Sequence, residues 1–179
     1  MSRFLFIGGA PVLDFVNTEI VSGGERVDLL QSVDDVRSWL AEAGLADDAA
    51  RVPLEEVRHF RALLRAMLLR GKAQKNHIDA INDALRRGEG TLTLVREKGK
   101  FRTKFDAEST DPLFLLGAAA AEFLANADLS LVKSCGGTGC ILLFYDETKN
   151  HTRRWCSMAA CGNRMKAALH YRRRKIGAP

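Results

Sequence analysis

Four cysteines are the residues of this chain best suited to chemistry, and all of them lie within the last 45 of its 179 residues. They form two pairs, Cys135-x4-Cys140 and Cys156-x4-Cys161, which fifteen residues separate. Zn²⁺ prefers four tetrahedral thiolate or imidazole ligands, and two closely spaced pairs bring four sulfurs to one point without straining the backbone. Several glycines beside the pairs suit a metal-binding turn. The pattern therefore predicts one structural zinc ion bound by these four cysteines.

Two other uses of the cysteines stay open at this point. They could form two disulfides, or they could be unrelated thiols that pack as small apolar residues. Disulfides require an oxidising compartment, but the first fifteen residues contain one basic residue, an apolar run broken by two glycines, and Asp14, which is a poor signal peptide. We therefore expect a cytoplasmic protein. No apolar run reaches the roughly 18 residues of a membrane span, so no membrane partner is expected.

The positive charge of the chain is concentrated in the cysteine-containing part. From Lys133 onward there are ten Lys and Arg residues against two acidic residues, a net charge of +8. The preceding part has 17 basic and 20 acidic residues, a net charge of −3. Such a distribution is expected when one module binds a polyanion and the other does not.

The part before the cysteines has mainly helical patterns. Apolar spacing and capping residues predict helices over 33–43, 53–71, 76–87 and 112–127, with a short strand at 4–7 and a β-hairpin over 91–105. The apolar helix stops near residue 128 and the basic segment starts near 133. We therefore predict an α+β protein, with a mainly helical N-terminal domain at 1–130 that contains a small β-hairpin. A small zinc-finger module at 131–179 ends in a basic helix.

Within the second domain, the patterns predict a strand at 141–145 and a helix over 161–175. On that helix, basic and amide side chains fall within about 100° of arc at 100° per residue, whereas Met165, Ala168 and Leu169 point the other way. We expect the apolar side to pack on the zinc-bound hairpin and the basic side to face phosphates and base edges. A solvated basic surface is the alternative. The predicted nucleic-acid contacts are Arg153, Arg154, Asn163, Arg164, Lys166, His170, Arg172, Arg173 and Arg174.

Two motifs resemble known families. The run from Arg153 to Lys166, RRWCSMAACGNRMK, together with Cys135 and Cys140, resembles the CGNR zinc finger. The run LDFVNT at 13–18 resembles the opening motif of the ABATE domain, which precedes that finger in bacterial proteins classed as candidate stress-induced transcription regulators. The resemblance implies zinc held by the four cysteines, DNA binding by the finger, and ligand sensing by the preceding domain.

Five residues of the first domain are candidates for ligand contact. Three polar residues of LDFVNT are threaded among apolar neighbours, so they need partners if they are buried. Arginines also form a row along the second predicted helix, where an acidic ligand could be received. Helix capping and a solvated face are the respective alternatives. The candidates are Asp14, Asn17, Thr18, Arg61 and Arg65.

Catalysis has little support in the sequence. There is no phosphate-loop glycine pattern and no His-Glu metal motif, and none of the four histidines lies in a recognisable nucleophile motif. His151 is a spare metal ligand at most, because four thiolates already saturate zinc and leave no position for a reactive water. We predict no catalytic residues and no enzyme; an enzyme that uses Asp14 is the weakest alternative.

The sequence therefore predicts a ligand-responsive DNA-binding regulator that contains one structural zinc ion. The expected partners are DNA, a small-molecule effector in the N-terminal domain and a second copy of the chain. A homodimer is expected because one short helix reads too few bases for specificity. The alternative is an RNA-binding or protein-interaction zinc module, in which Trp155 and Tyr171 would be exposed for stacking on bases. We expect Trp155 to be buried.

Overall fold

The computed structural model describes residues 2–46, 52–97, 99–107 and 109–176. Within these ranges the chain forms six α-helices and three two-stranded antiparallel sheets. The predicted α+β class, with a mainly helical first part and a zinc module that ends in a helix, is confirmed. In chain order the elements are α1 Pro11–Val16, β1 Glu19–Ser22, β2 Glu25–Asp28, α2 Val33–Glu42, α3 Leu54–Arg70, α4 Lys75–Leu85, β3 Gly90–Glu97, β4 Lys100–Ala107, α5 Pro112–Asn126, β5 Val132–Ser134, β6 Leu143–Tyr145 and α6 Asn163–Ile176.

The longer helices begin and end where the sequence supplies capping residues. Ser32 Oγ accepts the N–H of Asp35 at 3.1 Å, and Asp35 accepts the N–H of Ser32 at 2.9 Å, which is the capping box of α2. Asp111 accepts the N–H of Leu113 at 2.8 Å and starts α5. Gly71 ends α3 in the left-handed conformation, with a φ of +64°. No helix in the described ranges has the length and apolar character that crossing a membrane requires.

The short helix α1 lies at the centre of the hydrophobic core. Val12, Leu13, Phe15 and Val16 are each no more than 2% exposed, and α1 packs against α3, α5 and β6. Six residues are too few for a helix that is stable alone, so burial against these neighbours stabilises α1. Leu143 of β6 belongs to the same core. Because β6 follows the first cysteine pair, the core of the helical part extends into the zinc module.

Strand β6 lies between two cores. Successive side chains of a strand point to opposite faces, and Leu143 joins the helical core while Leu142 and Phe144 pack with three of the cysteines in a second cluster. Ile7 and Ile20, from the N-terminal part, pack against that second cluster. Each part of the chain therefore contributes to the core of the other.

Three local features differ from the sequence predictions. The strand predicted at 4–7 is wrong, because the segment pairs with no other strand. Directly after it, the carbonyl of Gly8 accepts a hydrogen bond from the N–H of Tyr145 at 2.7 Å. The sequence patterns did not predict α1. They also missed the β1–β2 hairpin, which turns at Gly23 and Gly24 with φ of +62° and +92°. The hairpin predicted over 91–105 is confirmed as β3 and β4.

Candidate metal centre and basic helix

The four cysteine sulfurs lie together in the zinc module. All four Sγ atoms are within 4.8 Å of one another. The Sγ atoms of Cys140 and Cys156 are 3.9 Å apart, and those of Cys156 and Cys161 are 3.6 Å apart. Tetrahedral coordination with Zn–S bonds of about 2.3 Å puts sulfurs about 3.8 Å apart, whereas a disulfide needs about 2.05 Å. All four cysteines are free. The sulfur geometry therefore fits one four-coordinate zinc ion, and the disulfide alternative is not what the structure contains.

Hydrogen-bond donors surround the sulfurs. The N–H groups of Gly137 and Cys156 donate to Cys135 Sγ at 3.4 and 3.3 Å, and the guanidinium of Arg164 donates to Cys161 Sγ at 3.3 Å. Such donors offset thiolate charge and orient the ligands. Burial raises the pKa of Cys140 to about 11, and the neighbouring Cys135 adds to that shift. Zn²⁺ supplies the positive charge that lets four thiolates share this space, and thereby cross-links the module when bound.

Glycines make the close approach of the two cysteine pairs possible. A Cβ atom on Gly137 would lie 3.0 Å from Cys161 Sγ, which is tighter than nine in ten real Cβ contacts, so the sulfur would have to move. Gly139 has a φ of +73°, a conformation that side chains rarely adopt. The first pair lies in the turn between β5 and β6, and Cys156 precedes a single π-helical turn at Met158–Gly162 that contains Cys161. This π-turn leads directly into α6, so the position of Cys161 fixes where α6 starts.

A buried carboxylate orders the segment between β6 and the second cysteine pair. Asp146 is fully buried and accepts hydrogen bonds from Lys133 Nζ at 2.6 Å, Thr148 Oγ1 at 2.6 Å and the N–H of Arg153 at 3.0 Å. Burial by itself raises the pKa of Asp146, but these donors hold it well below its usual range. His151 Nδ1 donates to the carbonyl of Asp146 at 2.9 Å, and the sulfur cluster does not include His151.

Arg153 joins three segments of the backbone. Its guanidinium donates to the carbonyls of Trp155 at 3.0 Å, Tyr145 at 3.3 Å and Ile7 at 3.1 Å, and it lies 4.2 Å from the ring centroid of Phe144. The side chain is half-buried. Arg153 therefore connects the N-terminal segment, β6 and the second cysteine pair.

Asn17 links the helical part directly to the zinc module. Its Nδ2 donates to the carbonyl of Leu143 at 2.8 Å, and the N–H of Leu143 donates to its Oδ1 at 2.8 Å. Asn17 is fully buried. Arg65 of α3 adds a second link, because it donates to the carbonyls of Val16 at 3.2 Å and of Ile141. Burial lowers the pKa of Arg65. Buried hydrogen bonds thus fix the position of β6 on the helical part.

The other polar residues of LDFVNT also have partners within the chain. Asp14 Oδ1 accepts the N–H of Gly8 at 2.7 Å; burial raises the pKa of Asp14, and this hydrogen bond opposes the shift. Thr18 Oγ1 accepts from Arg61 Nη1 at 2.8 Å. Arg61 also donates to both carboxylate oxygens of Asp28, at 2.7 and 2.5 Å. Burial alone raises the pKa of Asp28, but Arg61 and neighbouring donors lower it below its usual value.

The structure therefore gives each of the five predicted ligand residues an intramolecular partner. Their contact with a ligand stays a prediction. The helix-capping alternative describes Asn17 and Thr18 in part, because Asn17 is the C-cap residue of α1 and the Thr18 hydroxyl donates to the carbonyl of Phe15 at 2.7 Å. The solvated-face alternative does not describe Arg61, which is buried and holds β2 on α3.

The predicted nucleic-acid residues fall into three groups. Asn163, Lys166 and His170 are exposed on α6, and Arg154 is exposed beside the second cysteine pair with its guanidinium 5.2 Å from the Trp155 ring. The guanidinium of Arg153 donates to backbone carbonyls, and the guanidinium of Arg164 donates to Cys161 Sγ. Arg172, Arg173 and Arg174 belong to α6, but their side chains lie outside the described part of the structure.

The apolar side of α6 packs less than predicted. Among the described side chains of α6, those of the first turn lie against the module: Met165 is half-buried, and the Thr138 hydroxyl lies 3.6 Å from its Sδ. Ala168 and Leu169 are exposed, and Leu169 is 51% accessible. The expectation that these residues pack on the hairpin is wrong, because they are exposed and α6 contacts chiefly the turn Met158–Gly162 that precedes it.

Two family models match the chain, in the order that the motifs indicate. The first is ABATE, described as "Putative stress-induced transcription regulator", and it matches residues 9–127. The chain belongs to the ABATE family. The second model is the CGNR zinc finger, and it matches residues 132–174. Both predicted family assignments are confirmed, and neither description is that of an enzyme. No curated protein matches this ABATE protein.

The family match and the sulfur geometry together give this ABATE protein a zinc finger with one structural zinc ion. The residues that sequence reasoning missed are those that support the finger from outside it. Asp146, Lys133 and Leu143 carried no motif, because their importance depends on burial and on partners far away in the chain. An acidic residue directly after the apolar run at 141–145 was the available signal for Asp146.

Replacing Cys156 with Ser should remove zinc from the protein, because a hydroxyl does not replace the fourth thiolate. We expect the zinc content to fall from one ion per chain to nearly none. Residues 150–176 should lose amide-exchange protection, because metal binding stabilises such modules. Zinc is measured by elemental mass spectrometry of the purified protein. The control is Lys149→Ala, at an exposed position of the same module. A variant that retains one zinc per chain would show that Cys156 is not a ligand.

Replacing Asn17 with Leu should loosen β6 from the helical part. The change leaves the buried N–H and carbonyl of Leu143 without partners, which costs about 2–4 kcal/mol of unfolding free energy. We expect faster amide exchange of a peptide that covers 141–145 and a lower urea midpoint. Asn126→Leu, at an exposed amide, should change neither. Unaltered exchange in 141–145 would contradict the link.

Replacing Asp28 with Asn should change how stability depends on pH. The pKa of Asp28 is lowered in the folded protein, so its contribution is present above its unfolded pKa of about 3.9 and is lost as the pH falls through the folded value. We expect the variant to be about 2 kcal/mol less stable at pH 7, because buried Arg61 loses a charged acceptor. The stability difference from wild type should shrink below about pH 4.

The measurement for Asp28→Asn is urea unfolding at several pH values. Zinc release at low pH affects both proteins, so the difference between them isolates Asp28. Glu89→Gln, at an exposed carboxylate, serves as the charge-matched control. A constant difference between pH 7 and pH 3 would contradict the assigned ion pair.

Proposed function

We propose that this ABATE protein is a ligand-responsive DNA-binding transcription regulator, in which the four-cysteine zinc finger presents α6 to duplex DNA. The observation that carries the proposal is the placement of α6. It starts two residues after a zinc ligand, and its described side chains beyond the first turn, from Lys166 to Tyr171, are all exposed. A helix that is fixed at one end and exposed from Lys166 to Tyr171 is available for a groove.

The dimensions and charge of α6 suit the major groove. Its 14 residues span about 21 Å at 1.5 Å per residue, and the major groove is about 12 Å wide and admits an α-helix. Asn163, Lys166 and His170 share one side, and by helical periodicity Arg173 and Arg174 fall on the same arc. Lysine and arginine release counterions from phosphates, whereas an asparagine amide suits the edge of adenine.

The contacts in the structure divide the predicted basic residues by role. Arg153 connects backbone segments, so we assign it a positioning role rather than a phosphate contact. Arg154 is exposed and borders an open groove of about 610 Å³ that Lys133 and His151 also line. We propose that Arg154 contacts a phosphate beside α6. Arg172, Arg173 and Arg174 of α6 are also proposed to contact phosphates.

The RNA-binding alternative keeps one observation in its favour. Tyr171 is 69% exposed, so its ring is free to stack on an unpaired base. Trp155 was expected to be buried, but it is half-buried, and the guanidinium of Arg154 lies over its ring. One face of Trp155 is therefore already used, which favours the duplex over a single strand. Competition between duplex DNA and single-stranded RNA separates the two proposals.

The remaining parts of the proposal concern organisation. We propose 1–130 as the sensing domain and 131–179 as the finger, with the cytoplasm as the compartment and no catalytic activity. A homodimer is proposed because a single short helix contacts few base pairs, and two copies would read two half-sites. The buried links through Asn17 and Arg65 give a route by which events in the first domain reach the finger.

Replacing Lys166, Arg173 and Arg174 together with Ala should weaken duplex binding and flatten its salt dependence. Each lost phosphate contact reduces the slope of log affinity against log salt by about 0.9, so the triple variant should lose about 2.7. The measurement is fluorescence anisotropy of a labelled 30-base-pair duplex with zinc-loaded protein. Lys149→Ala, an exposed lysine of the same module outside α6, should leave most of the slope unchanged.

Two results would contradict the proposal. A triple variant with the wild-type slope would remove α6 from the interface. Single-stranded RNA that displaces the labelled duplex at equal nucleotide concentration would favour the RNA-binding alternative. Metal content of the variant is measured in parallel, since the substitutions lie outside the sulfur cluster and should leave zinc at one per chain.

A further inference from the structure

A half-open cleft of about 390 Å³ lies between the β1–β2 hairpin and the zinc-binding loops. Small-molecule sites usually have volumes of about 300–1,000 Å³, so the cleft has room for one small metabolite. Three zinc-ligating cysteines line it, as does Arg164 at the start of α6. The cleft is separate from Asp14 and the other predicted ligand residues, whose polar atoms have partners inside the chain.

The two walls of the cleft differ in character. The wall from the helical part is apolar and comes from the N-terminal segment and β1, with Leu5, Ile7, Ile20 and Val21. The turn of the β1–β2 hairpin contributes only Gly23 and Gly24, and a Cβ on either would meet no atom within 4 Å. The turn therefore leaves the mouth of the cleft open, and the apolar wall suits an aliphatic or aromatic body.

The opposite wall carries the polar groups. Thr138, Ser157 and Arg164 line this side together with the cysteines. Among the described residues that line the cleft, Arg164 is the single charged side chain apart from the metal-binding cysteines. One of its N–H groups donates to Cys161 Sγ at 3.3 Å, and a guanidinium has five N–H donors, so most remain for a ligand.

We infer that this cleft binds a small amphipathic anion, with its apolar body against β1 and its carboxylate or similar head group on Arg164. A guanidinium recognises such a head group through charge-assisted hydrogen bonds. The zinc–thiolate centre has a formal charge of −2 and opposes anion binding, so the attraction of Arg164 must exceed this repulsion for an anion to bind more tightly than its neutral analogue. Arg164 therefore decides which head group the cleft accepts.

The position of the cleft connects ligand binding to the finger. A ligand here touches the helical part through β1 and the first turn of α6 through Arg164. A ligand shifts a conformational equilibrium only if it binds one conformation more tightly than the other. Arg164 supplies this difference in affinity, because its guanidinium contacts both the head group of the ligand and the zinc ligand Cys161. This regulatory consequence rests on the proposed function, whereas binding to the cleft does not.

The test is titration of zinc-loaded, full-length, ¹⁵N-labelled protein with octanoate, octanol and octylammonium, followed by amide chemical shifts. These three probes share one apolar body and differ in head-group charge. We expect octanoate to shift the amides of Val21, Gly24 and Gly139, and to bind about tenfold more tightly than octanol, as one charge-assisted hydrogen-bonded contact implies. Octylammonium should bind most weakly.

Variants assign the binding to the cleft and the selectivity to Arg164. Val21→Trp should fill the cleft and abolish the octanoate shifts, whereas Ser22→Trp, on the same strand but outside the cleft, should leave them. Arg164→Gln should reduce octanoate affinity about tenfold to the level of octanol, and Arg164→Lys should restore part of the preference. Zinc content of each variant confirms that the metal centre is intact.

Three outcomes would overturn the inference. The first is that no probe shifts the amides of the cleft. The second is that octanoate still binds to Val21→Trp. The third is that octanol or octylammonium binds as tightly as octanoate. None of these titrations contains nucleic acid, so a failure of DNA binding cannot be mistaken for a failure of the cleft.

Discussion

The arrangement of the C-terminal part depends on four sulfurs meeting at one point. The second core contains few apolar side chains besides the cysteines themselves, chiefly Leu142 and Phe144. Such a small core does not offset the conformational entropy of the loops around it. A zinc ion supplies the missing cross-link, because it binds both ends of a segment that otherwise lacks long strands or helices. The π-turn and the first turn of α6 then follow from the position of Cys161.

The finger is built into the helical part rather than tethered to it. Leu143 belongs to the helical core, while its neighbours Leu142 and Phe144 belong to the zinc cluster. Asn17 occupies the place of a strand neighbour, since its amide exchanges two hydrogen bonds with the Leu143 backbone. Strand β6 therefore connects the helical part mechanically to the finger, and the proposed ligand response depends on such a connection.

The sequence predicted the features that depend on local chemistry. Cysteine spacing predicted the metal centre, Ser32 and Asp35 predicted the capping box, and Gly71 predicted the end of α3. It could not predict α1, because six residues are helical there only through burial by α3, α5 and β6. Short apolar runs such as 4–7 resemble strands whether or not a neighbouring strand exists to pair with them.

The polar residues show more clearly that contacts between distant parts of the chain cannot be predicted from residue type and spacing. Asn17 was recognisable as a polar residue in an apolar run, but its partner lies 126 positions away in the chain. Arg153 stands in a basic run and suggested a phosphate contact, yet carbonyls from three segments surround its guanidinium. Residue type and spacing reveal which side chains need a partner, whereas only the fold decides whether that partner belongs to the chain or to a ligand.

X-ray absorption at the zinc edge is the most direct test of the central claim. We expect one zinc ion per chain with four sulfur neighbours at about 2.3 Å and no nitrogen or oxygen neighbour. A first shell that contains a nitrogen or oxygen ligand, or a protein that folds its last helix without zinc, would contradict the four-thiolate centre as the element on which the finger depends.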